Sequence, residues 1–431
     1  MTERTIAVDY IARVEGEGAL RVRIEDGRAR EVELRIFEPP RFFEAMLRGR
    51  AYTEAPDITA RICGICPVAY QMSACHALER ALGIRVEGQL RALRRLLYCG
   101  EWIESHALHI YLLHAPDFLG YPDAVRLAKD HPQEVANGLA LKKAGNTIMQ
   151  VLGGREVHPI NVRVGGFYRV PSRDELAPLV PQLEEAFVLA ETTARFAASL
   201  PFPKVKEEYE FVALRHPDEY PMNEGDVVSS RGLRIPQEGF EEEFEEVQVP
   251  YSHALQAHRR GGGAYLVGPM ARYSLNHDRL PPRTRALADA VGLEPTVENP
   301  YRSIVVRAIE VAFACEEALR IIRAYSVPPA PYVAPPTSIP ETRGAAVTEA
   351  PRGLLYHRYD VAAGGLLREA KIVPPTSRNQ TRIEEDLRHV IDAEVQRPDE
   401  ELALACERAI RNHDPCISCA THFLKLEVER G

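Results

Sequence analysis

Two pairs of cysteines stand near opposite ends of this 431-residue sequence. Cys63 and Cys66 lie in RICGICP, and Cys416 and Cys419 lie in DPCISCATH. In a Cys-x-x-Cys pair a tight turn brings both sulfur atoms to one side, so each pair can clamp a single metal ion. If the two pairs meet, four thiolates form one site, and both ends of the chain must converge on it.

Three chemistries compete for these pairs. A thioredoxin-type redox pair requires a βαβ setting, which the sequence predicts around neither pair. A structural zinc is the common use of four cysteines, although zinc knuckles usually lie close together in sequence. A catalytic metal is the third interpretation, because Pro67 fits the first position of a helix and places Cys66 at its N-terminus, where the dipole favours a thiolate. Soft thiolates suit nickel and iron as well as zinc, so the residue types leave the metal open.

Further polar residues crowd the same segments. Asp414 precedes the second pair and His422 follows it, while Arg352 lies in the tight turn APRG. Glu15 stands between glycines in RVEGEG, a spacing that permits close approach of another segment. Each of these residues, taken singly, is more often an ordinary surface or turn residue.

The other cysteines, the net charge and the lack of long apolar segments exclude several classes of protein. Cys75, Cys99, Cys315 and Cys406 lie in helix-like apolar patterns, which favour a buried role, and eight cysteines are too sparse for a disulfide scaffold. The net charge of -9 argues against nucleic acid and anionic membranes as partners. The sequence has neither a signal-peptide pattern nor a run of 18 apolar residues, so we expect a cytoplasmic protein without a membrane anchor.

The segments that position the candidate residues differ in their spacing of apolar residues, which predicts strands in some and helices in others. Alternating residues and an Asp26-Gly27 turn predict an N-terminal antiparallel sheet over 1–40. Apolar residues at three-and-four spacing predict one long helix over 89–120, and Thr381 with Glu384 matches a capping box that would open a later helix. The predicted class is α+β, with the sheet, a large central helix bundle and both chain ends converging on the metal site. We expect one interlaced domain over 1–431, made of the sheet region 1–40, a helical region 60–200, a β and loop insertion 205–280 and a site-forming region 340–422.

In combination, the motifs resemble those of the large, catalytic subunit of nickel–iron hydrogenases. RICGICP and DPCISCATH resemble its two signature motifs, and RVEGEG, HAPD, GGREVHP, VGPMARY, APRG and VPPTSRNQ follow in the family's order along nearly the whole chain. The form RICGICPVAYQMSA resembles the cytoplasmic, bidirectional branch that is linked to NAD(P) and often called sulfhydrogenases.

The resemblance implies a bimetallic site. Cys63 and Cys416 would be terminal ligands of nickel, and Cys66 and Cys419 would bridge nickel to an iron that carries carbon monoxide and cyanide. The reaction would be the reversible heterolytic conversion of H2 into two protons and two electrons, with a terminal thiolate, that of Cys416, taking the first proton.

The resemblance also assigns roles around the metals. Glu15 would relay the proton away from Cys416. Arg352 would lie over the open metal position and polarise H2, oriented by Asp117 and Asp414. Pro351, Pro375 and Thr376 would surround the diatomic ligands, with Thr376 donating a hydrogen bond to cyanide. A separate magnesium or second iron would be held by the set Glu44, His422 and the carbonyl of Ile372.

The implied partners follow from what the sequence lacks. It has no further cysteine cluster of iron–sulfur type and no glycine-rich dinucleotide motif. The resemblance therefore implies an iron–sulfur small subunit, diaphorase subunits that carry flavin and NAD(P), and a maturation protease with nickel-insertion proteins. Two alternatives stay open: an H2-sensing subunit with the same ligands, and a non-catalytic structural relative with zinc or an empty site.

Three positions depart from the family pattern. Tyr70 and Glu17 stand where many relatives have histidine, and we interpret both as features of the branch. Residues Phe423–Gly431 extend beyond His422, where the family usually loses a C-terminal extension after nickel insertion. An immature precursor and a branch that keeps the tail are both compatible with the sequence.

Overall fold

Small antiparallel sheets alternate with long helices in the computed structural model, which describes residues 3–421. Helical residues make up 49% and strand residues 19%. This mixture confirms the predicted α+β class. Within residues 3–421, no helix combines the length and the apolar composition that crossing a lipid bilayer requires.

The strands of the described residues are β1 (Glu3–Val8), β2 (Gly18–Glu25), β3 (Arg28–Ile36), β4 (Val162–Arg163), β5 (Gly166–Phe167), β6 (Val212–Arg215), β7 (Asp226–Ser229), β8 (Arg234–Ile235), β9 (Phe244–Gln248), β10 (Leu255–Arg259), β11 (Thr342–Ala350), β12 (Gly353–Val361) and β13 (Leu367–Val373). The α-helices are α1 (Phe43–Leu47), α2 (Ala55–Ala60), α3 (Pro67–Leu82), α4 (Gly88–Leu108), α5 (Ala115–Leu119), α6 (Ala124–Asp130), α7 (Pro132–Gly153), α8 (Arg173–Leu176), α9 (Leu179–Ala198), α10 (Phe240–Glu243), α11 (Pro269–Asn276), α12 (Pro282–Ala290), α13 (Ser303–Ala324), α14 (Pro375–Glu394), α15 (Asp399–Asn412) and α16 (Ile417–Ala420). A π-helical segment spans His109–His114, and 3-10 turns span Tyr52–Glu54, Gln237–Gly239, His277–Arg279 and Pro300–Arg302.

The N-terminal sheet joins the two ends of the chain. Its strands lie in the antiparallel order β1-β2-β3, and Asp26 and Gly27 form the β2–β3 turn with φ angles of 50° and 75°, so the predicted hairpin is confirmed. Its apolar face, which includes Val22 and Ile24, packs against α14 and α15 around Leu387. Because the first strands and the late helices share one core, the segments that carry the two candidate motifs are held near each other.

A second sheet positions the middle motifs. Strands β11, β12 and β13 form an antiparallel sheet whose β11 and β12 pack against α3. A side chain at Gly344 would overlap the backbone of α3, so glycine allows the helix to approach the sheet closely. Helix α3 begins directly after Cys66, and the β11–β12 turn holds Arg352. This one packing unit therefore fixes both residues.

The predicted long helix is confirmed with one interruption. Helix α4 continues into the π-helical segment His109–His114 and then into α5. Pro116 lies in the first turn of α5 and cannot donate a backbone hydrogen bond, which favours a local change in the helical ladder there.

The predicted helix start at Thr381 is wrong, because α14 begins at Pro375. Proline suits the first turn of a helix, and the Thr381 hydroxyl instead donates to Gln256 Oε1 at 3.0 Å. A Thr-x-x-Glu pattern also fits a helix interior, so the earlier proline decides the boundary.

Candidate metal centre

The four predicted cysteines meet in the core of the protein. Their sulfur atoms all lie within 4.8 Å of one another. Cys63 Sγ lies 3.5 Å from Cys416 Sγ, and Cys66 Sγ lies 3.7 Å from Cys419 Sγ. All four are free thiols and at most 3% exposed. Thiols separated by about 350 positions thus form one cluster.

One cysteine of each pair stands directly before the first residue of a helix. Cys66 is the residue before α3 and is followed by Pro67 in the first helical position, as the sequence predicts. Cys416 has the same place before the short helix α16. The backbone N–H groups of Ile65 and Cys66 donate to Cys63 Sγ at 3.3 and 3.4 Å. Such N–H donors stabilise a negatively charged sulfur.

The protonation of the cluster fits a metal site. Hydrogen bonds from the other three cysteines lower the pKa of the Cys63 thiol well below its ordinary value. Burial, followed by the neighbouring sulfurs, raises the pKa of the Cys416 thiol. The four sulfurs cannot all be anions at such short distances without a cation between them. A soft metal ion would replace the shared protons, so the donor set fits nickel, iron or zinc.

Glu101 is a supporting residue that sequence reasoning missed. It lies on α4 and is fully buried, and its carboxylate accepts hydrogen bonds from the N–H groups of Val68 at 2.6 Å and Ala69 at 3.1 Å. These groups belong to the first turn of α3, so Glu101 fixes the helix start that carries Cys66. The only signal in the sequence is one acidic residue in the apolar stretch LLYCGEWI.

Glu15 contacts the second cysteine pair. Cys416 Sγ donates to Glu15 Oε2 at 3.0 Å, and the N–H of Ser418 donates to the same oxygen at 3.1 Å. The backbone N–H of Ile417 donates to the Glu15 carbonyl at 2.9 Å. A side chain at Gly16, whose φ is 88°, would lie 2.7 Å from Ile417 Cβ, so the glycine permits the close approach expected from RVEGEG. Burial, with the nearby charge of the Cys63 thiolate, raises the pKa of the Glu15 carboxyl.

Arg352 and Asp414 form a buried ion pair beside the thiols. Arg352 Nε donates to the Asp414 carbonyl at 2.9 Å, and Nη2 donates to Asp414 Oδ1 at 3.2 Å. Burial disfavours the cation, but Asp414 and the nearby thiolates keep the pKa of Arg352 above its ordinary value. Arg352 Nη1 is buried and has no hydrogen-bond partner within residues 3–421. The guanidinium therefore retains an unused donor in the neighbourhood of the sulfurs.

A second arginine supports the turn that carries Arg352. Arg272 donates to the carbonyls of Ala350 at 2.7 Å and Pro351 at 2.9 Å. Its own charge is balanced by Glu310 and Glu349, both fully buried. This network holds the backbone just before Arg352 in place. The motif VGPMARY, which contains Arg272, gave no sign of it beyond its place in the motif order.

Asp117 is a correction to the sequence analysis, which expected it to orient Arg352. Its carboxylate instead accepts hydrogen bonds from Arg411 at 2.7 and 2.8 Å and from Arg13 at 2.5 Å. These cations, together with the nearby His114, lower the pKa of Asp117 despite its burial. Asp414 is the carboxylate that contacts Arg352, because it lies two residues from Cys416 on the same turn.

Of the residues expected around the diatomic ligands, Thr376 contacts the second cysteine pair directly. Thr376 Oγ1 accepts a hydrogen bond from the Cys416 N–H at 2.9 Å, which leaves its hydroxyl hydrogen available to donate elsewhere. Pro375 is the first residue of α14, and Pro351 precedes Arg352. Tyr70, which stands in place of the family's histidine, is buried beside Cys419; burial and the sulfur charges raise its pKa well above the ordinary value.

Two of the three residues expected at the second ion site come together. Glu44 Oε1 accepts a hydrogen bond from the Ile372 N–H at 2.7 Å. His422, the third expected ligand, and the tail Phe423–Gly431 lie outside the described residues. The proximity of Glu44 and Ile372 is compatible with the expected site.

Comparisons with known proteins identify the family to which the chain belongs. The family model described as nickel-dependent hydrogenase matches residues 41–146 and 229–422. The alpha subunits of sulfhydrogenase 1 and sulfhydrogenase 2 from Pyrococcus furiosus are each 33% identical to the chain over 427 residues. These alignments cover 98% of the chain, and 98% and 100% of the respective relatives.

A solved structure has the same fold. It is an NAD+-reducing [NiFe]-hydrogenase in the H2-reduced state, with a TM-score of 0.88 and 27% sequence identity. The superposition covers 97% of this chain and 99% of that chain. The likeness in fold therefore extends over nearly the whole of both chains.

Proposed function

This chain belongs to the nickel-dependent hydrogenase family as a catalytic large subunit, and we propose that the four cysteines hold the nickel–iron group at which it interconverts H2 with two protons and two electrons. The observation that carries this proposal is the buried cluster of four sulfurs within 4.8 Å of one another, with the Glu15 carboxylate 3.0 Å from Cys416 Sγ. Cys63 and Cys416 would be terminal ligands of nickel, and Cys66 and Cys419 would bridge to iron. When bound, this group supplies the Lewis-acid and redox chemistry for heterolytic cleavage.

The chain's own residues move the proton. Cys416 Sγ accepts it as a thiolate becomes a thiol, and Glu15 Oε2 lies within hydrogen-bond distance to receive it next. The Ser418 N–H fixes that oxygen, so the carboxylate keeps its direction during the transfer. A donor and an acceptor that are already in contact need no rearrangement before the proton moves.

Arg352 supplies a fixed positive charge. Its guanidinium is oriented by Asp414, and its free Nη1 donor can stabilise negative charge that develops near the sulfurs. Because the side chain is only 2% exposed, water screens this charge weakly.

Two smaller roles follow from the same arrangement. Pro351, Pro375 and Thr376 would line the pocket for the carbon monoxide and cyanide ligands of iron, with the Thr376 hydroxyl donating to cyanide. The hard oxygen donors of Glu44 and the Ile372 carbonyl, together with His422, would hold magnesium or a second iron.

The subunit would work inside a larger cytoplasmic complex. The sulfhydrogenase relatives are themselves named as alpha subunits. Within residues 3–421, the four cysteines of the candidate metal centre form the one cysteine group that could hold a metal. Electrons released there would therefore pass to iron–sulfur clusters on a separate small subunit. Diaphorase subunits with flavin would pass the electrons to NAD(P), in keeping with the NAD+-reducing structural match. A maturation protease and nickel-insertion proteins would complete the site.

Metal analysis and infrared spectroscopy of the complex purified from its native host test this function. We expect nickel and iron together, with bands from metal-bound carbon monoxide and cyanide. Zinc alone without such bands would show that the cysteines form a structural clamp, and would overturn the proposal. Turnover with redox dyes separates a catalyst from an H2 sensor with the same ligands, and we expect rapid turnover.

Replacing Glu15 by glutamine is expected to lower kcat for H2 oxidation about 100-fold, because the amide cannot accept the proton from Cys416. Nickel and iron content should not change, since Glu15 is not a metal ligand. Dye-linked turnover and metal analysis of the same sample check both expectations. The exposed Glu17, two residues away, is the matched control, and Glu17→Gln should keep wild-type turnover. Normal H2 oxidation in the Glu15 variant would remove that residue from the relay.

A further inference from the structure

Asp117 joins the two chain segments between which the proton transfer takes place. Its Oδ1 accepts from Arg13 Nη2 at 2.5 Å and from Arg411 Nη2 at 2.8 Å, and its Oδ2 accepts from Arg411 Nε at 2.7 Å. Arg13 stands two residues before Glu15, and Arg411 stands five residues before Cys416. One buried carboxylate therefore connects the Glu15 segment to the Cys416 segment.

The junction formed by Asp117, Arg13 and Arg411 also includes backbone contacts, because each arginine donates to a carbonyl of a distant segment. Arg411 Nη1 donates to the Ala12 carbonyl at 2.8 Å, so the C-terminal helix α15 holds the N-terminal loop directly. Arg13 Nη1 donates to the Leu113 carbonyl at 2.7 Å, near the end of the π-helical segment that directly precedes α5, the helix that carries Asp117. Arg13 has a φ of 60°, a left-handed conformation that is unfavourable for arginine and is maintained by these contacts.

The connection between Arg13 and Arg411 depends on the negative charge of Asp117. Two guanidinium groups share this carboxylate, and the side chains of Arg411 and Asp117 are only 1% and 7% exposed. The Arg13 side chain is 15% exposed beside a cleft, and the next carboxylate, that of Glu407, lies 3.8 Å from Arg411. Without the Asp117 carboxylate, the two cations would lose their shared partner and repel each other, so we expect them to separate. Separation would move the backbone on either side of Glu15 or of Cys416.

We propose that Asp117 is a positioning residue that holds Glu15 in contact with Cys416 Sγ through Arg13 and Arg411, rather than one that orients Arg352. The inference rests on the proton role proposed for Glu15 and adds the device that sets its distance from the thiol. A displacement of about 1 Å between donor and acceptor costs a catalytic step up to about 100-fold. Among residues 3–421 the Asp117 carboxylate bonds to Arg13 and Arg411 and not to Arg352, so we expect its loss to act mainly on the contact between Glu15 and Cys416.

Asp117→Asn in the whole purified complex tests the assignment. The amide keeps the size of the side chain but can no longer neutralise both arginines. We expect kcat to fall about 10-fold, within the range that misplacement produces, with KM for H2 unchanged. The infrared bands of the metal-bound diatomics should stay at their wild-type wavenumbers, because no residue that touches the metals is altered.

Double variants separate positioning of Glu15 from positioning of Arg352. Asp117→Asn combined with Glu15→Gln should be no slower than Glu15→Gln alone, since the relay is already lost. Combined with Arg352→Lys, which alters the guanidinium itself and leaves the segment from Arg411 to Cys416 intact, the two losses should multiply. A further 10-fold loss in the first combination, or no further loss in the second, would overturn the assignment.

A matched control accounts for general damage to the fold. Glu317 is also a buried carboxylate shared by two arginines, Arg95 and Arg320, and its side chain is 8% exposed. Glu317→Gln removes a comparable ion-pair junction outside the site. This variant should keep the wild-type kcat, and its combination with Glu15→Gln should be as slow as Glu15→Gln alone. Equal losses of kcat in the Asp117 and Glu317 variants would show that the loss comes from general destabilisation of the fold, and would overturn the proposal.

Three further outcomes are distinguishable. If Asp117→Asn does not accumulate as a metal-loaded complex, Asp117→Glu takes its place, because it keeps the charge but lengthens the side chain by one methylene. We then expect kcat to fall with KM for H2 unchanged, and wild-type kcat in this variant would overturn the proposal. If Glu15→Gln alone leaves turnover unchanged, the proton role of Glu15 fails and the positioning role falls with it. If Glu15→Gln is slow but the Asp117 variant multiplies its loss, only the positioning role is wrong.

Discussion

Cys416→Ser is expected to abolish hydrogen–deuterium exchange by the purified complex. Cys416 Sγ lies 3.5 Å from Cys63 Sγ, 2.6 Å from Cys419 Sγ and 3.0 Å from Glu15 Oε2, so one atom belongs to both the metal cluster and the proton route. A serine hydroxyl is a harder donor that stays protonated at neutral pH and binds nickel or iron poorly. We therefore expect loss of nickel together with loss of exchange, both measured on the same sample.

Cys406 is the matched control for this variant. It is a fully buried cysteine on α15, ten positions before Cys416, and burial raises its pKa to about 12. Its sulfur packs in the core beneath the N-terminal sheet, so Cys406→Ser should cost about 1–3 kcal/mol of stability but keep exchange per bound nickel. Exchange near the wild-type rate in the Cys416 variant would contradict the proposed chemistry.

Arg352→Lys is expected to lower kcat/KM for H2 about 100- to 1,000-fold, the loss typical when one preorganised electrostatic group is removed. The lysine keeps the charge, but its ammonium is a compact group on a flexible stem. It lacks the rigid planar fork with which Arg352 bonds the Asp414 carbonyl and carboxylate and still presents Nη1. Metal content should stay unchanged, because Arg352 is not a ligand. Dye-linked H2 oxidation across a range of H2 concentrations, with metal analysis, checks the expectation.

Arg94 provides the comparison for a buried arginine outside the site. It pairs with Glu79 through two hydrogen bonds, and its side chain is 1% exposed. Arg94→Lys should lower the melting temperature without changing kcat/KM per bound nickel. If Arg352→Lys retained wild-type turnover, the fixed guanidinium would have no part in the reaction.

The motifs identified the donor chemistry because thiol spacing is a local property. A Cys-x-x-Cys turn can be recognised within four residues, and the position of Pro67 was enough to predict a helix start after Cys66. The N-terminal hairpin was predicted for the same reason, since Asp26-Gly27 and the alternation around it lie within one short segment. The choice of nickel and iron over zinc came from the resemblance of whole motifs and not from the spacing.

Local sequence did not reveal the partners of buried charges. Asp414 could be expected near the cluster because it lies two residues from Cys416. Asp117 gave no such indication of its partners, and the structure pairs it with Arg13 and Arg411 instead of Arg352. Glu101 and Arg272 were missed for the same reason, because each acts on backbone that is distant in sequence.

The sequence by itself determined which atoms are available: four soft sulfur donors, a carboxylate between glycines and an arginine in a tight turn. Only the tertiary structure decided which of them touch. The reason is that a contact such as Cys416 Sγ to Glu15 Oε2 depends on how the N-terminal sheet packs on α14 and α15, and that packing sums many weak apolar contacts across the whole chain. Long-range charge pairs such as those of Asp117 form wherever this packing brings opposite charges together, so their identity follows from the fold.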